Sequence, residues 1–123
     1  MFSLNGKTLT ITQGDTGNLA IDTTGETFGA SDRAQLTVTD KKQTVLLQKV
    51  AEISNGAAAF EFANADTADI PAGAYQWELR FVKNATITNG KITAGDEINT
   101  PFDGPMPMRI IEALGDIGAT GGN

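Results

Sequence analysis

The side chains that could do chemistry in this chain of 123 residues are carboxylates, lysines and one tyrosine, because histidine and cysteine are both absent. Their absence excludes Ser-His-Asp and Cys-His nucleophilic pairs, zinc or copper sites of the usual nitrogen and sulfur kind, cysteine-ligated iron–sulfur clusters and disulfides. Any catalysis would therefore depend on carboxylates, Lys or Tyr.

Two loose acidic clusters raise the question of a calcium site. They are Asn64, Asp66 and Asp69, and further along the chain Asp96, Glu97 and Asp103. Neither has the alternating carboxylates, central Gly and closing Glu of an EF-hand loop. The first cluster is typical of the capping and turn residues that precede a proline, here Pro71. We therefore expect solvated turn residues and no metal site.

A pair of carboxylates acting as the acid and base of a glycosidase is the remaining catalytic class. The chain has 15 acidic residues, so pairs of neighbouring carboxylates are inevitable and are not by themselves a signal. The reaction also requires a cleft that separates the two carboxyl groups by about 5 to 9 Å. A domain of this size has little room for such a cleft, so we expect no enzyme, no catalytic residue and no cofactor.

An aromatic platform for a sugar ring is a further possibility, because Tyr75, Trp77 and Phe81 fall on one face of a predicted strand over residues 74–83. Leu79 lies in the same register, and an aliphatic residue in that position favours a core face over an exposed platform. We expect these rings to form the core. The sugar-binding interpretation leaves one alternative function open, that of a carbohydrate-binding or adhesin-type sandwich.

The charge balance and the apolar pattern exclude other partners. Nine basic against 15 acidic residues give a net charge of -6, and Lys41-Lys42 is the only adjacent basic pair, so we expect no nucleic-acid binding. No apolar run approaches the roughly 20 residues of a spanning helix, and no secretion signal is visible. We expect one domain over residues 1–118, a flexible tail over 119–123, and synthesis in the cytoplasm without membrane insertion.

The elements that must position these residues are strands. Apolar residues alternate with polar ones in most segments, for example Leu9 with Ile11 and Leu36 with Val38, and turn clusters recur between them. This pattern predicts an all-β, immunoglobulin-like antiparallel β-sandwich of seven or eight strands. Residues 108–114 fit either a strand or a short helix, and we prefer a closing strand that pairs with residues 74–83.

Two segments are candidate partner-contact loops. Asn89-Gly90 lies between two short β-patterned segments and is a strong hairpin signal, so it predicts a projecting ribbon. Residues 101–108 contain three prolines and two methionines, and such extended segments can dock onto a partner. A crossover loop packed on its own domain is the alternative. The predicted contact residues are Asn89, Gly90, Pro101, Phe102, Pro105 and Met106.

Two motifs resemble a known family. The first motif is Gln13-Gly14-Asp15 before an alternating strand, and the second motif, residues 71–77, begins with a Pro-x-Gly-x-Tyr turn and ends at Trp77. This order of features is similar to small β-sandwich modules in tail and baseplate proteins of tailed bacteriophages, including the N-terminal domain of baseplate upper proteins. The proline-interrupted segment before Met108 departs from the pattern.

The resemblance implies a function in assembly rather than catalysis, and it supplies no catalytic residues. It implies a non-enzymatic structural protein of a phage or prophage tail or baseplate, located in the virion and docked through sheet edges and loops. The implied partners are other tail or baseplate subunits and further copies of the same chain, since closed symmetry lets a weak contact act many times.

Overall fold

A computed structural model describes residues 1–23, 27–102 and 104–113 and shows an all-β protein. The described residues form eleven strands and one short helix: β1 (Phe2–Asn5), β2 (Thr8–Thr12), β3 (Gly17–Asp22), β4 (Arg33–Thr39), β5 (Val45–Ser54), β6 (Ala57–Phe62), α1 (Asn64–Thr67), β7 (Gly73–Lys83), β8 (Thr86–Thr88), β9 (Lys91–Ala94), β10 (Glu97–Asn99) and β11 (Met106–Ile111). The expected seven or eight strands are too few, because β1 and β10 have only four and three residues and show no clear alternation.

The strands form one sheet that is nearly closed into a barrel, in the order β1-β2-β11-β7-β4-β5-β6-β3. The ten-residue β5 pairs with β4 along most of its length and with β6 at its end. It therefore connects the two halves of the sheet. β10 adds to the far half of β7, and β8 with β9 forms a separate two-stranded ribbon.

The expectation of a fully antiparallel sheet is wrong at one place, because β2 and β11 are parallel, with Leu9 opposite Met108 and Ile11 opposite Ile110. A parallel pair needs a long crossover between its strands, and residues 13–105 lie between these two. The preferred closing strand is confirmed: β11 pairs with β7, from Met106 opposite Trp77 to Ile110 opposite Gly73. Leu114 and the expected tail over 119–123 lie outside the described residues.

The core lies inside the barrel and is built from alternate positions of the central strands. The fully buried large side chains are Leu9, Ile11, Leu36, Val38, Phe60, Trp77, Leu79, Phe81 and Met108. Their period-two spacing turns every second residue inward, and this burial is the main stabilising contribution to the fold. The Trp77 indole N–H donates to the carbonyl of Lys7 at 3.0 Å, so its polar atom is satisfied in the core.

Among the described residues a side chain, and no strand pairing, bridges the seam between the two ends of the sheet. β1 and β3 are the two ends of the sheet, and the Phe2 ring of β1 lies over Gly17 of β3. A Cβ on residue 17 would lie 2.4 Å from this ring, so only glycine allows the approach. The same ring packs edge-on against Phe62, with the ring centroids 5.1 Å apart.

Candidate functional site

Gln13, the first residue of the first motif, joins three segments at one end of the barrel. Its side-chain Nε2 donates to the carbonyl of Ile70 at 2.8 Å, and its Oε1 accepts from the backbone N–H of Ala113 at 3.2 Å. Its own backbone N–H donates to the carbonyl of Ile111 at 2.9 Å. The half-buried amide therefore links the end of β2, the end of β11 and the corner before β7.

Gly14 and Asp15, which follow Gln13, attach further segments at the same end of the barrel. The Gly14 N–H donates to the hydroxyl of Thr67 at 2.9 Å, and the Gly14 carbonyl accepts from Asn64 Nδ2 at 2.8 Å. Both partners belong to α1, and Thr67 is fully buried. The Asp15 carboxylate pairs with the amino group of Met1. The first motif therefore fixes α1 and the start of β1 against the end of β2.

The second motif reaches the same corner from the other side. The Tyr75 hydroxyl donates to the carbonyl of Pro71, four residues earlier, and closes the turn that starts β7. A tyrosine hydroxyl bonded to a backbone carbonyl a few residues upstream fixes the start of a strand, and sandwich folds use the same kind of bond in their tyrosine corner. Ile70, which accepts from Gln13, immediately precedes this turn. The two motifs therefore meet although some 55 residues separate them.

The first acidic cluster stabilises local structure. The Asp66 carboxylate accepts from Lys49 Nζ at 2.6 Å and from the backbone N–H of Ala63 at 2.8 Å, so it caps α1 and ties this helix to β5. Lys49 also lies over the Phe62 ring, 5.5 Å from its centroid. Asn64 bonds to Gly14 instead. Asp66 and Asn64 therefore act as capping and turn residues, as expected, but the sequence did not predict the helix.

The second acidic cluster lies only partly among the described residues. Asp96 accepts from Asn84 Nδ2 at 2.8 Å, Glu97 begins β10, and Asp103 lies outside the described residues. Within residues 1–23, 27–102 and 104–113, no three His, Cys, Asp or Glu side chains gather into a potential metal site.

Asp32 is a buried carboxylate that sequence reasoning missed. It is 8% exposed, and it accepts from the backbone N–H groups of Gly29 at 2.6 Å and Asn84 at 2.9 Å. The bond from Gly29, followed by that from Asn84, lowers the pKa of Asp32, against the opposing effect of burial. Because Asn84 is 52 residues away, no local pattern could have indicated the bond from its N–H.

The predicted contact residues Asn89 and Gly90 lie at the exposed tip of the β8–β9 ribbon. Both have positive φ, 53° and 77°, as a tight two-residue hairpin turn requires. The predicted hairpin is confirmed: β8 and β9 form a separate two-stranded sheet, and β9 lies against β5 of the barrel sheet.

The other predicted contact residues are only partly at the surface. Pro105 is exposed, whereas Pro101 and Phe102 are half-buried and Lys7 Nζ lies 5.4 Å from the centre of the Phe102 ring. Met106 is 3% exposed and is a core residue of β11, because it alternates in register with the buried Met108. Its side chain therefore does not reach the surface.

The aromatic strand belongs to the core, as expected. Trp77 and Phe81 are 2% and 1% exposed, so their ring faces are covered by the protein itself. Tyr75 is half-buried, and its hydroxyl is taken by Pro71. A sugar-stacking platform of these three rings is not formed.

An open groove lies beside Tyr75 on the surface of the barrel. Its two adjoining halves share Lys41, Ala74 and Tyr75, and Pro105 and Pro107 form part of the second half. Sequence reasoning missed this groove because β4, β7 and β11 bring its walls together only through sheet pairing.

No helix among the described residues is long and apolar enough to span a membrane.

Comparisons with protein-family models, with curated proteins and with solved structures found no match. The function must therefore be argued from the residues and the fold.

Proposed function

We propose that this chain is a non-enzymatic structural protein of a phage or prophage tail or baseplate. The observation that carries this proposal is the corner at which the first motif and the second motif meet. Gln13 bonds to Ile70, directly before the turn that Tyr75 closes. The residues that carry the resemblance thus act together in one structural unit, as residues that define a building module would.

The proposal includes an immunoglobulin-like fold for the barrel. In such sandwiches strands C, F and G form one sheet and strands B, E and D belong to the other, with a corner tyrosine at the start of strand F. The neighbouring sets β4-β7-β11 and β3-β6-β5 reproduce these two orders, and Tyr75 is the third residue of β7. These correspondences support an immunoglobulin-like module whose two sheets are joined through β5.

Docking through edges and loops is supported by where apolar surface is exposed. The exposed large hydrophobic side chains among the described residues are Met1, Leu4, Val45, Leu46, Ile87 and Ile98. Leu4, Ile87 and Ile98 belong to the short strands β1, β8 and β10 at the margins of the sheets. Unpaired edges with apolar side chains favour pairing with another chain, so other tail subunits or further copies are the proposed partners.

The carbohydrate-binding alternative has one observation in its favour, the open groove beside Tyr75. Its lining combines part of an aromatic ring with Lys41 and Pro107. A glycan array tests it directly. Binding that is lost in Lys41→Ala and Pro107→Ala variants would favour this function over assembly.

The test of the assembly function uses the genome that encodes the chain. Deleting the gene should leave particles whose tails or baseplates are incomplete in electron micrographs, and complementation should restore them. An antibody against the protein should label the tail of complete particles. Complete, unlabelled tails after deletion, or a gene that lies among polysaccharide-utilisation genes, would contradict the proposal.

A further inference from the structure

The basic side chains of this acidic protein differ in whether the fold already uses them. Five of the nine lie over an aromatic ring, donate to a backbone carbonyl or pair with a carboxylate: Lys7, Arg33, Lys49, Arg80 and Lys83. The other four side chains have no such partner among the described residues, and they are Lys41, Lys42, Lys91 and Arg109. Lys41, Lys42 and Arg109 lie around the groove beside Tyr75, and we call these three the groove cations.

Sheet pairing places positive charge on both sides of this groove. Ala74 of β7 is exposed and lines both halves of the groove, and β7 lies between β11 and β4. On the β11 side Arg109 is directly opposite Ala74, and residues paired in this way point to the same face of a sheet. On the β4 side Thr39 is opposite Gln76, and Lys41, two residues after Thr39, lines both halves. Ala74 is therefore a small floor residue between two cations.

The rest of the lining suits a peptide chain. Pro105 and Pro107 alternate with the buried Met106, so both prolines are exposed on the outer face and give the groove an apolar wall. Gln76 is half-buried in the same lining, and its side-chain amide makes no hydrogen bond within the described part of the chain. A free amide offers both a donor and an acceptor, which matches the N–H and C=O groups of an extended backbone.

The carboxylates near the groove do not neutralise its cations. Asp40 lines the groove, but its Oδ1 accepts from the backbone N–H groups of Lys42 and Thr44 at 2.8 and 2.9 Å. Glu78 points to the same face as Gln76, two residues earlier, and it pairs with Arg80 at 3.3 Å. Neither carboxylate forms an ion pair with a groove cation. The positive charge of the groove is therefore available to a partner.

We propose that the groove beside Tyr75 binds an acidic peptide segment of another protein. Three cations match a few carboxylates, whereas the net charge of -6 on the whole chain repels a long polyanion such as nucleic acid. The apolar wall and the Gln76 amide add contacts that an extended chain of mixed acidic and apolar residues can satisfy. This inference rests on the proposed assembly function for its role in a tail, where a neighbouring subunit would supply the segment.

The first test selects peptides without assuming a partner. The protein is incubated with a displayed library of random peptides, and bound sequences are synthesised with a fluorescein label and titrated by fluorescence anisotropy. We expect selected peptides to be enriched in Asp and Glu, and their affinity to fall as salt rises. Replacing the acidic residues of the tightest peptide by Gln and Asn should weaken it at least about tenfold. No selected peptide, or peptides without acidic enrichment, would overturn the inference.

The second test reverses single charges in the protein. Lys41→Glu and Arg109→Glu should each weaken the selected peptide at least about threefold, and the double variant at least about tenfold, because attractions become repulsions. Lys91→Glu is the matched control, since Lys91 is an exposed lysine of β9 without an ion pair among the described residues and the net charge changes equally. An equal loss of affinity in Lys91→Glu and in either groove variant would overturn the inference.

The same variants separate this inference from the assembly function. Absence of peptide binding, with the protein present in purified particles, would overturn the inference alone, because subunits can also join through edges. Glycan binding that is lost in Arg109→Glu, without selection of acidic peptides, would overturn both. Self-association that is lost in Arg109→Glu, measured by sedimentation equilibrium, would overturn the proposed partner and assign the groove to a second copy of this chain.

Discussion

Single side chains in this barrel connect segments that are remote in the chain. Gln13 connects to Ile70 and to Ala113, and Asp32 connects to Asn84, in each case through backbone groups. Such bonds fix loops relative to strands because a backbone group that loses its buried partner leaves an unmet hydrogen bond. Single side chains therefore fix the corner at Gln13 and the loop before β4.

We predict that Gln13→Ala lowers the free energy of unfolding by about 1–3 kcal/mol, because it removes the partners of two backbone groups. Urea unfolding followed by Trp77 fluorescence measures the change, since Trp77 is the single tryptophan and is buried. Gln48→Ala is the control, because among the described residues the Gln48 amide makes a single long contact, of 3.4 Å, with the Thr37 hydroxyl. Equal unfolding midpoints for the two variants would contradict the structural role of Gln13.

We predict that Asp32 contributes to the loss of stability in acid. The pKa of Asp32 is lowered in the folded state, so its ionised carboxylate stabilises the fold above the unfolded pKa, and this contribution is lost as the pH falls through the folded value. In Asp32→Asn that contribution is absent at every pH. The difference in unfolding free energy between wild type and variant should therefore be largest near pH 7 and shrink as the pH passes below the ordinary value of 3.8.

Urea titrations at pH 7, 5, 4 and 3 would measure this difference. Asp69→Asn, at an exposed carboxylate, serves as the control for the general effect of removing one negative charge. A constant gap between wild type and Asp32→Asn across these pH values would show that the carboxylate charge does not contribute.

At the scale of elements, β7 is the strand on which the most contacts depend. It pairs with β4 on one side and with β11 and β10 on the other, and it carries Trp77, Leu79 and Phe81 into the core. Tyr75 fixes its start through the bond to Pro71. The direction in which β7 enters the sheet therefore depends on one hydroxyl group.

We predict that Tyr75→Phe lowers the free energy of unfolding by about 1 kcal/mol, because the ring is retained and one hydrogen bond to Pro71 is lost. Thermal and urea unfolding would measure the change. Amide exchange at the beginning of β7 should also become faster, whereas exchange at its Phe81 end should stay slow. A variant with unchanged stability and unchanged exchange would show that the corner bond contributes nothing.

Most strands could be predicted from the sequence because one buried face imposes a period of two, as in Leu9 with Ile11 and Trp77 with Leu79. The Asn89-Gly90 hairpin could be predicted because its turn demands positive φ at both residues. The parallel pairing of β2 with β11 could not, since it joins the two ends of the chain and leaves no local pattern. For the same reason the groove beside Tyr75 and the role of Asp32 were missed.

The corner of Gln13 and Ile70 was also only half predictable. Both motifs are visible in the sequence, but the contact between their segments depends on the long-range bond from Gln13 to Ile70. α1 has four residues, too few to show a helical period in the sequence. Its only local indication is Asp66, whose carboxylate accepts from the backbone N–H of Ala63, three residues earlier.

At the scale of the whole molecule, the barrel has one buried apolar core and exposed apolar side chains at its margins. Its seam is bridged by the Phe2 ring, and exposed apolar side chains lie on the marginal strands β1, β8 and β10. Its net charge of -6 opposes non-specific association of copies, so any stable contact must come from matched edges and loops. These properties are those expected of a subunit that assembles in a defined geometry.

The measurement that tests the assembly function most directly is the amount of this protein in purified particles. Particles from the genome that encodes the chain are banded in a density gradient, and the copy number of the protein relative to known tail subunits is determined by quantitative mass spectrometry. Our account predicts a fixed ratio to those subunits across the particle peak, as symmetric assembly requires. A protein that remains wholly in the soluble fraction, with none in the particles, would contradict it.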